Sequence, residues 1–311
     1  MEINIQENIP LSNYTNFKVG GPAKYFINCK NISQILEAIN WAKENNQKIF
    51  VLADGTNMIT SSRGFEGLVV KISLDSLNIN GTIVEASAGT SMKKLVDESI
   101  ANGLAGLEWA GGLPGSFGGA IRGNAGAFGG EIKDNIEEVT SISLETGKEI
   151  IRSNNDCSFE YRGSYFKHHP VEIIVLAKLK LEKGNKEKLR EIADSRIAFR
   201  KEKHPMEYPN SGSIFKNTPL EKVPKKYLEV WKDVIKTDPF PVVPTAKILA
   251  DANLAGERVG GAELSKKHTN YIVNTDNATG EDILELIKRI KKIIKNKYDI
   301  ELEVEPDLLG F

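Results

Sequence analysis

The sequence predicts an α+β protein in two parts, an N-terminal α+β domain and a smaller C-terminal α/β domain. Three observations lead there. Amphipathic helical segments and short apolar strand-like runs are interspersed along the whole chain. The 311 residues exceed one typical domain. A long helical segment at 186–200 is followed by a loop-rich stretch at 203–220 containing His204-Pro205 and Pro209-Asn210-Ser211-Gly212, which places the boundary near residue 200.

The elements follow in order. Residues 33–44 read as a helix with Ile35, Leu36, Ile39 and Ala42 on one face and Ser33 at its start. Lys48 to Leu52 is a short buried strand running into the turn Asp54-Gly55-Thr56-Asn57, and 68–72 and 82–86 are further strands. Residues 91–102 form a second amphipathic helix through Met92, Leu95, Val96 and Ile100, stopped by Gly103. Nine glycines lie between Gly103 and Gly130, with little periodicity. Strands resume at 139–144 and 171–181, and the helix at 186–200 turns Leu189, Ile192, Ala193 and Ile197 inward. A last helix, from about Ile283 to Ile294, is capped by Thr279 with Asp282 three residues on. Ile300, Leu302 and Val304 then alternate with Glu301, Glu303 and Glu305 as a half-buried strand.

Composition excludes several classes. Lysine plus arginine number 41 against 42 acidic residues, so the chain has no global attraction for nucleic acid or an anionic membrane, and any anion site is local. The two cysteines, Cys29 and Cys157, show no CxxC spacing, and the four histidines form no ligand cluster, so neither a disulfide framework nor a metal site is expected. The first ten residues lack the basic and apolar regions of a signal peptide, and no apolar run approaches a membrane span.

Five segments carry candidate chemistry. The glycine-rich block Ala110 to Ala120, followed by Asn124-Ala125-Gly126-Ala127, reads either as a cradle that lets backbone N–H groups approach a phosphate-bearing ligand or as a loop crossing tight packing. It matches neither GxGxxG nor GxxxxGK[ST]. Ala53 to Asn57 sits at a strand end, where α/β sheets bind ligands, or is a plain turn. Tyr161-Arg162-Gly163-Ser164 offers a guanidinium fork for a carboxylate or phosphate. Ser211 to Asn217 offers a hydroxyl, an ammonium and an amide on a glycine-flexed turn, without the GxSxG of a hydrolase nucleophile. Glu301, Glu303 and Glu305 are a solvated edge unless the strand end is buried, in which case one can serve as an acid or an electrostatic partner.

Singly these are ordinary; their order and spacing are not. Together with Phe17-Lys18-Val19-Gly20-Gly21-Pro22-Ala23 and Leu302-Glu303-Val304-Glu305, the chain from about residue 13 onward resembles the UDP-N-acetylenolpyruvoylglucosamine reductase family, in its more compact type. The resemblance implies an FAD-binding domain of the vanillyl-alcohol-oxidase (PCMH) type over residues 1–200, in two subdomains with a break near 75. A substrate-binding domain over 201–311 follows. It implies reduction of UDP-N-acetylglucosamine enolpyruvate to UDP-N-acetylmuramate for peptidoglycan synthesis, with noncovalent FAD and NADPH as reductant.

Carried over residue by residue, the resemblance makes Ser213 the proton donor to substrate C2, and Arg162 and Glu305 the pair that stabilises the enolate, with Glu303 as rival to Glu305. It gives Asn217, Lys203 and Tyr161 to substrate binding, and Gly55, Thr56, Asn57, Gly115, Ser116, Gly119 and Asn124 to the cofactor. Three positions depart from the family pattern: Asp54 where glycine is usual, Arg122-Gly123 before Asn124, and Pro306-Asp307 after Glu305. A histidine to attach flavin is absent before His168, which agrees with noncovalent FAD. Two rival functions keep part of the pattern: another FAD oxidoreductase acting on a small alcohol, and an FAD-free nucleotide-sugar-binding protein. A cytoplasmic monomer with a small-molecule substrate, and neither nucleic acid nor membrane as partner, is the expectation.

Overall fold

A computed structural model describes residues 3–237 and 240–311. The chain forms two compact units. The first comprises residues 1–9, 23–54 and 66–200, and the second 10–22, 55–65 and 201–311. The second unit is thus not a simple C-terminal stretch. Phe17, Val19 and Ile59 are buried with Ile214, Phe215 and the apolar face of the last helix, which draws the two early segments into that core.

In the first unit a four-stranded sheet runs in the order Gln6–Pro10, Pro22–Cys29, Phe65–Ile72, Ile49–Leu52, with the last two parallel. A five-stranded antiparallel sheet runs Glu149–Ser153, Ile136–Ser143, Glu172–Lys180, Ile83–Ser87, Leu77–Asn80. The sequence reading missed Glu149–Ser153, an edge strand whose residues alternate between exposed and half-buried and so lack an apolar signature. The helix Ile32–Glu44 is capped by Asn31, whose side chain accepts from Gln34 N–H at 2.9 Å, not by Ser33, which lies inside and donates to Glu37. Ala38, rather than Leu36, completes its fully buried face. The helix Met92–Ala101 is capped by Ser91.

The glycine-rich region is more regular than its composition suggests. It holds a short helix, Phe117–Arg122, capped by Ser116. The helix Lys186–Lys203 buries only Leu189 and Ala193, four residues apart; Ile192 is exposed, a correction to its expected inward position. One residue of offset turns a side chain by about 100°.

In the second unit, the strand Met58–Thr60 pairs in parallel with Asp307–Leu309, and Arg258–Val259, Ala262–Leu264 and Ile272–Asn274 form a small antiparallel sheet. The helix Gly280–Tyr298 carries the capping box of Thr279 and Asp282 and buries Ile283, Leu286, Ile287, Ile290 and Ile294. Residues 300–304 keep the expected alternation of burial, with Ile300 and Leu302 buried, but make no regular strand; they meet Phe215 through an isolated bridge at Val304. No helix among the described residues is long and apolar enough to cross a membrane.

Candidate active site

Extended chain at 213–216 is the centre of the second unit's candidate residues. On one side Ser213 bridges Tyr271, and Ile214 N–H donates to Asn270 O at 2.8 Å. The Asn270 side chain closes the same rung twice: its Oδ1 accepts from Phe215 N–H at 3.1 Å and its Nδ2 donates to Phe215 O at 2.8 Å. On the other side Lys216 N–H donates to Glu303 O, and Glu305 N–H donates to Ile214 O, both at 2.9 Å. Ser213 and Glu305 are therefore held a residue apart across one backbone hydrogen bond. Gly212, at φ +80°, makes the turn into this segment and has open space around it.

Glu303 and Glu305 differ in surroundings. The Glu303 carboxylate is taken by Lys222 at 2.5 Å and Lys216 at 3.5 Å, and the Lys222 hydrogen bond holds its carboxyl below the usual range. It is an exposed ion-paired group. Asn217 accepts from Thr245 N–H through Oδ1 at 3.3 Å, and its carboxamide nitrogen makes no hydrogen bond to the described residues. Lys203 pairs with its neighbour Glu202 at 2.6 Å on the surface. Sequence reading passed over Asn270, and over the ring cluster of His204, His268 and Tyr271 beside it, in which Tyr271 OH lies 3.1 Å from His204 Nδ1. Burial lowers the His268 pKa, which favours the neutral ring. A lone KKHTNYIVN run has no pattern that announces such contacts.

In the first unit, Tyr161 and Arg162 form the tip of a tight turn. Glu160 N–H donates to Gly163 O and Gly163 N–H donates back to Glu160 O, both at 3.1 Å. Arg162 sits at φ +58°, its guanidinium 4.8 Å from the Tyr161 ring centre and its Nη2 donating to Gly126 O at 2.7 Å. Immediately after the turn, Tyr165 lies under the Arg152 guanidinium at 3.6 Å, and Arg152 forks onto the buried carboxylate of Glu172 at 2.6 and 3.2 Å.

The cofactor candidates divide the same way. Gly115 at φ +103° accepts from Met92 N–H; Ser116 is buried and caps Gly119 N–H at 3.4 Å. A Cβ on Gly118 would lie 2.7 Å from Ala88 Cβ, so packing alone requires that glycine. At Gly119 the nearest atoms, Ala53 Cβ and Ser116 Oγ, would both be at an ordinary 3.5 Å. That position is bare without being crowded, and it lies beside the strand end at Ala53: the feature of a cradle open to a ligand. Asn124 is fully buried, with φ +40°, and both ends of its carboxamide are bonded within the fold. Asp54 pairs with Lys71 at 3.2 Å, which balances the charge that departs from the family's glycine. In the second unit, a Cβ on Gly55 would fall 2.0 Å from Tyr14 O, so only glycine fits there, and Asn57 O accepts from Asp307 N–H at 3.1 Å. Thr56 lies between them and is half-buried.

Comparison with known proteins finds two family models along the chain, neither of which reaches Tyr161, Arg162 or Lys203. The model for the FAD binding domain matches residues 23–152, and that for the C-terminal domain of UDP-N-acetylenolpyruvoylglucosamine reductase matches 204–309. The reductase of that name from Caldanaerobacter subterraneus subsp. tengcongensis is 35% identical, with 97% of this chain and 93% of that protein covered. The one from Clostridium novyi is 36% identical over 98% and 92%. The crystal structure of the Thermus caldophilus reductase superposes with a TM-score of 0.79 at 26% identity, covering 99% of this chain and all of that one. The fold is therefore α+β, an FAD-binding domain of the vanillyl-alcohol-oxidase type followed by a smaller C-terminal domain. Likeness at this level along nearly the whole chain makes the protein a member of the UDP-N-acetylenolpyruvoylglucosamine reductase family.

Proposed function

We propose that this chain reduces UDP-N-acetylglucosamine enolpyruvate to UDP-N-acetylmuramate, with Ser213, Glu305 and Arg162 serving the chemical step. The reading rests above all on the backbone bond from Glu305 N–H to Ile214 O, which fixes the Glu305 main chain one residue from Ser213. Bound FAD supplies hydride chemistry at the enolpyruvyl C3, with NADPH as reductant. Charge then accumulates at C2, next to the substrate carboxylate. Ser213 Oγ–H donates the proton that C2 takes up. A serine is a weak acid on its own, so its surroundings must favour the transfer. Arg162 offsets the developing negative charge, and a positioned cation acts most strongly where water is excluded. Glu305 polarises the enolate.

Asn217, Lys203 and Tyr161 bind substrate in this reading, and Gly55, Thr56, Asn57, Gly115, Ser116 and Gly119 line the cofactor; Asn124, expected among them, has both ends of its carboxamide engaged within the fold. The bare cradle at Gly119 supports that fit. Burial pushes the Cys29 and Cys157 thiols up to about 12, so neither offers a thiolate to attach flavin, which supports noncovalent FAD. We assign the cofactor to residues 1–200 and the substrate to 201–311, and read the enzyme as a cytoplasmic monomer, a state that light scattering checks. The test of function is direct: purified protein, NADPH and UDP-N-acetylglucosamine enolpyruvate are mixed, and nicotinamide oxidation is followed alongside product mass. Oxidation without UDP-N-acetylmuramate, or a colourless protein, overturns the proposal.

A further inference from the structure

The turn that presents Arg162 is tied to the segment 122–126 by three hydrogen bonds. Ser164 Oγ donates to Arg122 O at 2.8 Å, Asn124 Nδ2 donates to Glu160 O at 2.9 Å, and Arg162 Nη2 donates to Gly126 O at 2.7 Å. The bonds run from every second residue of one segment, and Asn124 is the middle one. Glu160 O also takes Gly163 N–H, so Asn124 grips the base of the turn whose tip is Tyr161-Arg162. The other end of the Asn124 carboxamide, Oδ1, accepts from Lys133 N–H at 3.3 Å. Arg162 itself holds φ +58°, a conformation that a non-glycine side chain keeps only where its surroundings over-determine it.

We infer that Asn124 is a positioning residue for Arg162, acting through the Glu160 carbonyl, rather than a cofactor ligand. This rests on the assignment of Arg162 to substrate charge made above. The residue type suits the task twice. Asparagine tolerates the positive φ seen here, and its amide both donates and accepts. Without the tie, the turn is free to relax toward an ordinary backbone conformation, and the guanidinium moves with it. A displacement of about 1 Å at a catalytic group lowers rate by roughly 10²-fold.

The test uses the flavin-loaded enzyme and two variants. Asn124→Gly keeps the backbone permissive and removes the carboxamide; Asn124→Asp keeps the shape and sets an oxygen against Glu160 O. We expect bound FAD per chain to be unchanged and amide exchange to quicken in the peptide spanning 158–166. Flavin reoxidation by UDP-N-acetylglucosamine enolpyruvate should slow about 10–100-fold, while flavin reduction by NADPH is unaltered. In an Arg162→Ala background, Asn124→Gly should slow reoxidation no further. Loss of FAD, equal slowing of both half-reactions, unchanged exchange, additive effects with Arg162→Ala, or failure of both variants to fold each overturns the inference. Arg162→Ala at wild-type rate sinks the underlying assignment instead, whereas a slow Arg162→Ala beside a wild-type Asn124→Gly sinks only this one.

Discussion

The turn at 160–164 and the extended segment at 213–216 each hold one candidate catalytic side chain, and they do it by different means. Ser213 is placed mainly by backbone pairing, a bridge to Tyr271 and rungs through Ile214 to Asn270 and Glu305, with the Asn270 side chain on Phe215 as one added clamp. Arg162 is placed by side chains reaching back to backbone, at a left-handed φ, with its own guanidinium as one of the ties. The contrast follows from reach. A serine hydroxyl is one torsion from the main chain, so fixing the main chain leaves only χ1 to place the oxygen. An arginine head is four torsions away, so its backbone and its tip must be fixed separately.

The largest effect should come from deleting the group that the backbone places. Ser213→Ala is expected to slow single-turnover reoxidation of the reduced enzyme by substrate on the order of 10²–10⁴-fold, with NADPH reduction intact. Ser213→Cys should recover part of the rate, since a thiol also donates a proton. Stopped-flow traces of Ser213→Ala at wild-type speed would remove the serine from the mechanism.

Asn270→Ala attacks the rung instead of the hydroxyl. It strands two buried backbone groups of Phe215, and each orphaned group costs about 1–3 kcal/mol. A lower thermal transition with a lowered reoxidation rate is expected, because Ser213 moves with its strand. A destabilised variant that reoxidises normally would show that Asn270 supports the core alone.

Much of this was legible in the sequence only where the cause is local. Thr279 with Asp282 announces its helix because cap and capped amide lie three residues apart. The glycine block was ambiguous for the opposite reason. Gly111 is bare because of the Ala193 carbonyl, Gly118 because of Ala88 and Gly130 because of Trp109, while Gly119 has no such neighbour. Four identical letters have different causes, and the causes sit elsewhere in the chain. Asn124 was readable as a ligand candidate, yet the residues that engage it, Glu160 and Lys133, carry no mark in sequence. Ile192 failed for a simpler reason: periodicity cannot tell which of two adjacent apolar residues sits on the buried seam.

Side-chain ties also balance charge in the first unit, and Lys71→Met sharpens the comparison there. The variant leaves Asp54 without its partner near the proposed cofactor phosphates. FAD affinity should fall about tenfold, roughly 1.4 kcal/mol, and Asp54→Gly in the same background should restore it. Fluorescence titration with FAD reads both. Equal affinity for Lys71→Met and wild type would mean that the Asp54 carboxylate is turned away from the ligand.

The smallest expected effect asks whether the second unit, too, relies on side-chain ties away from its strand. Glu281, in the first turn of the helix Gly280–Tyr298, accepts from Ser61 Oγ at 2.7 Å and from Ser62 Oγ at 2.6 Å and Ser62 N–H. These bonds, against an opposing contribution from burial, hold its carboxyl at about 2, below an ordinary value near 4.5. A folded pKa below the unfolded one means stability present above about 4.5 and lost as pH falls toward 2. The group is largely open to solvent, so screening keeps the effect under about 1 kcal/mol. Glu281→Gln should therefore unfold at slightly lower urea than wild type at neutral pH, and the two midpoints should converge as pH falls to about 2. The loop at 61–62 follows the strand Met58–Thr60, so the tie steadies the segment that also carries Gly55, Thr56 and Asn57. A midpoint difference that stays constant across the whole acid range would show that Glu281 acts through packing and not through its charge.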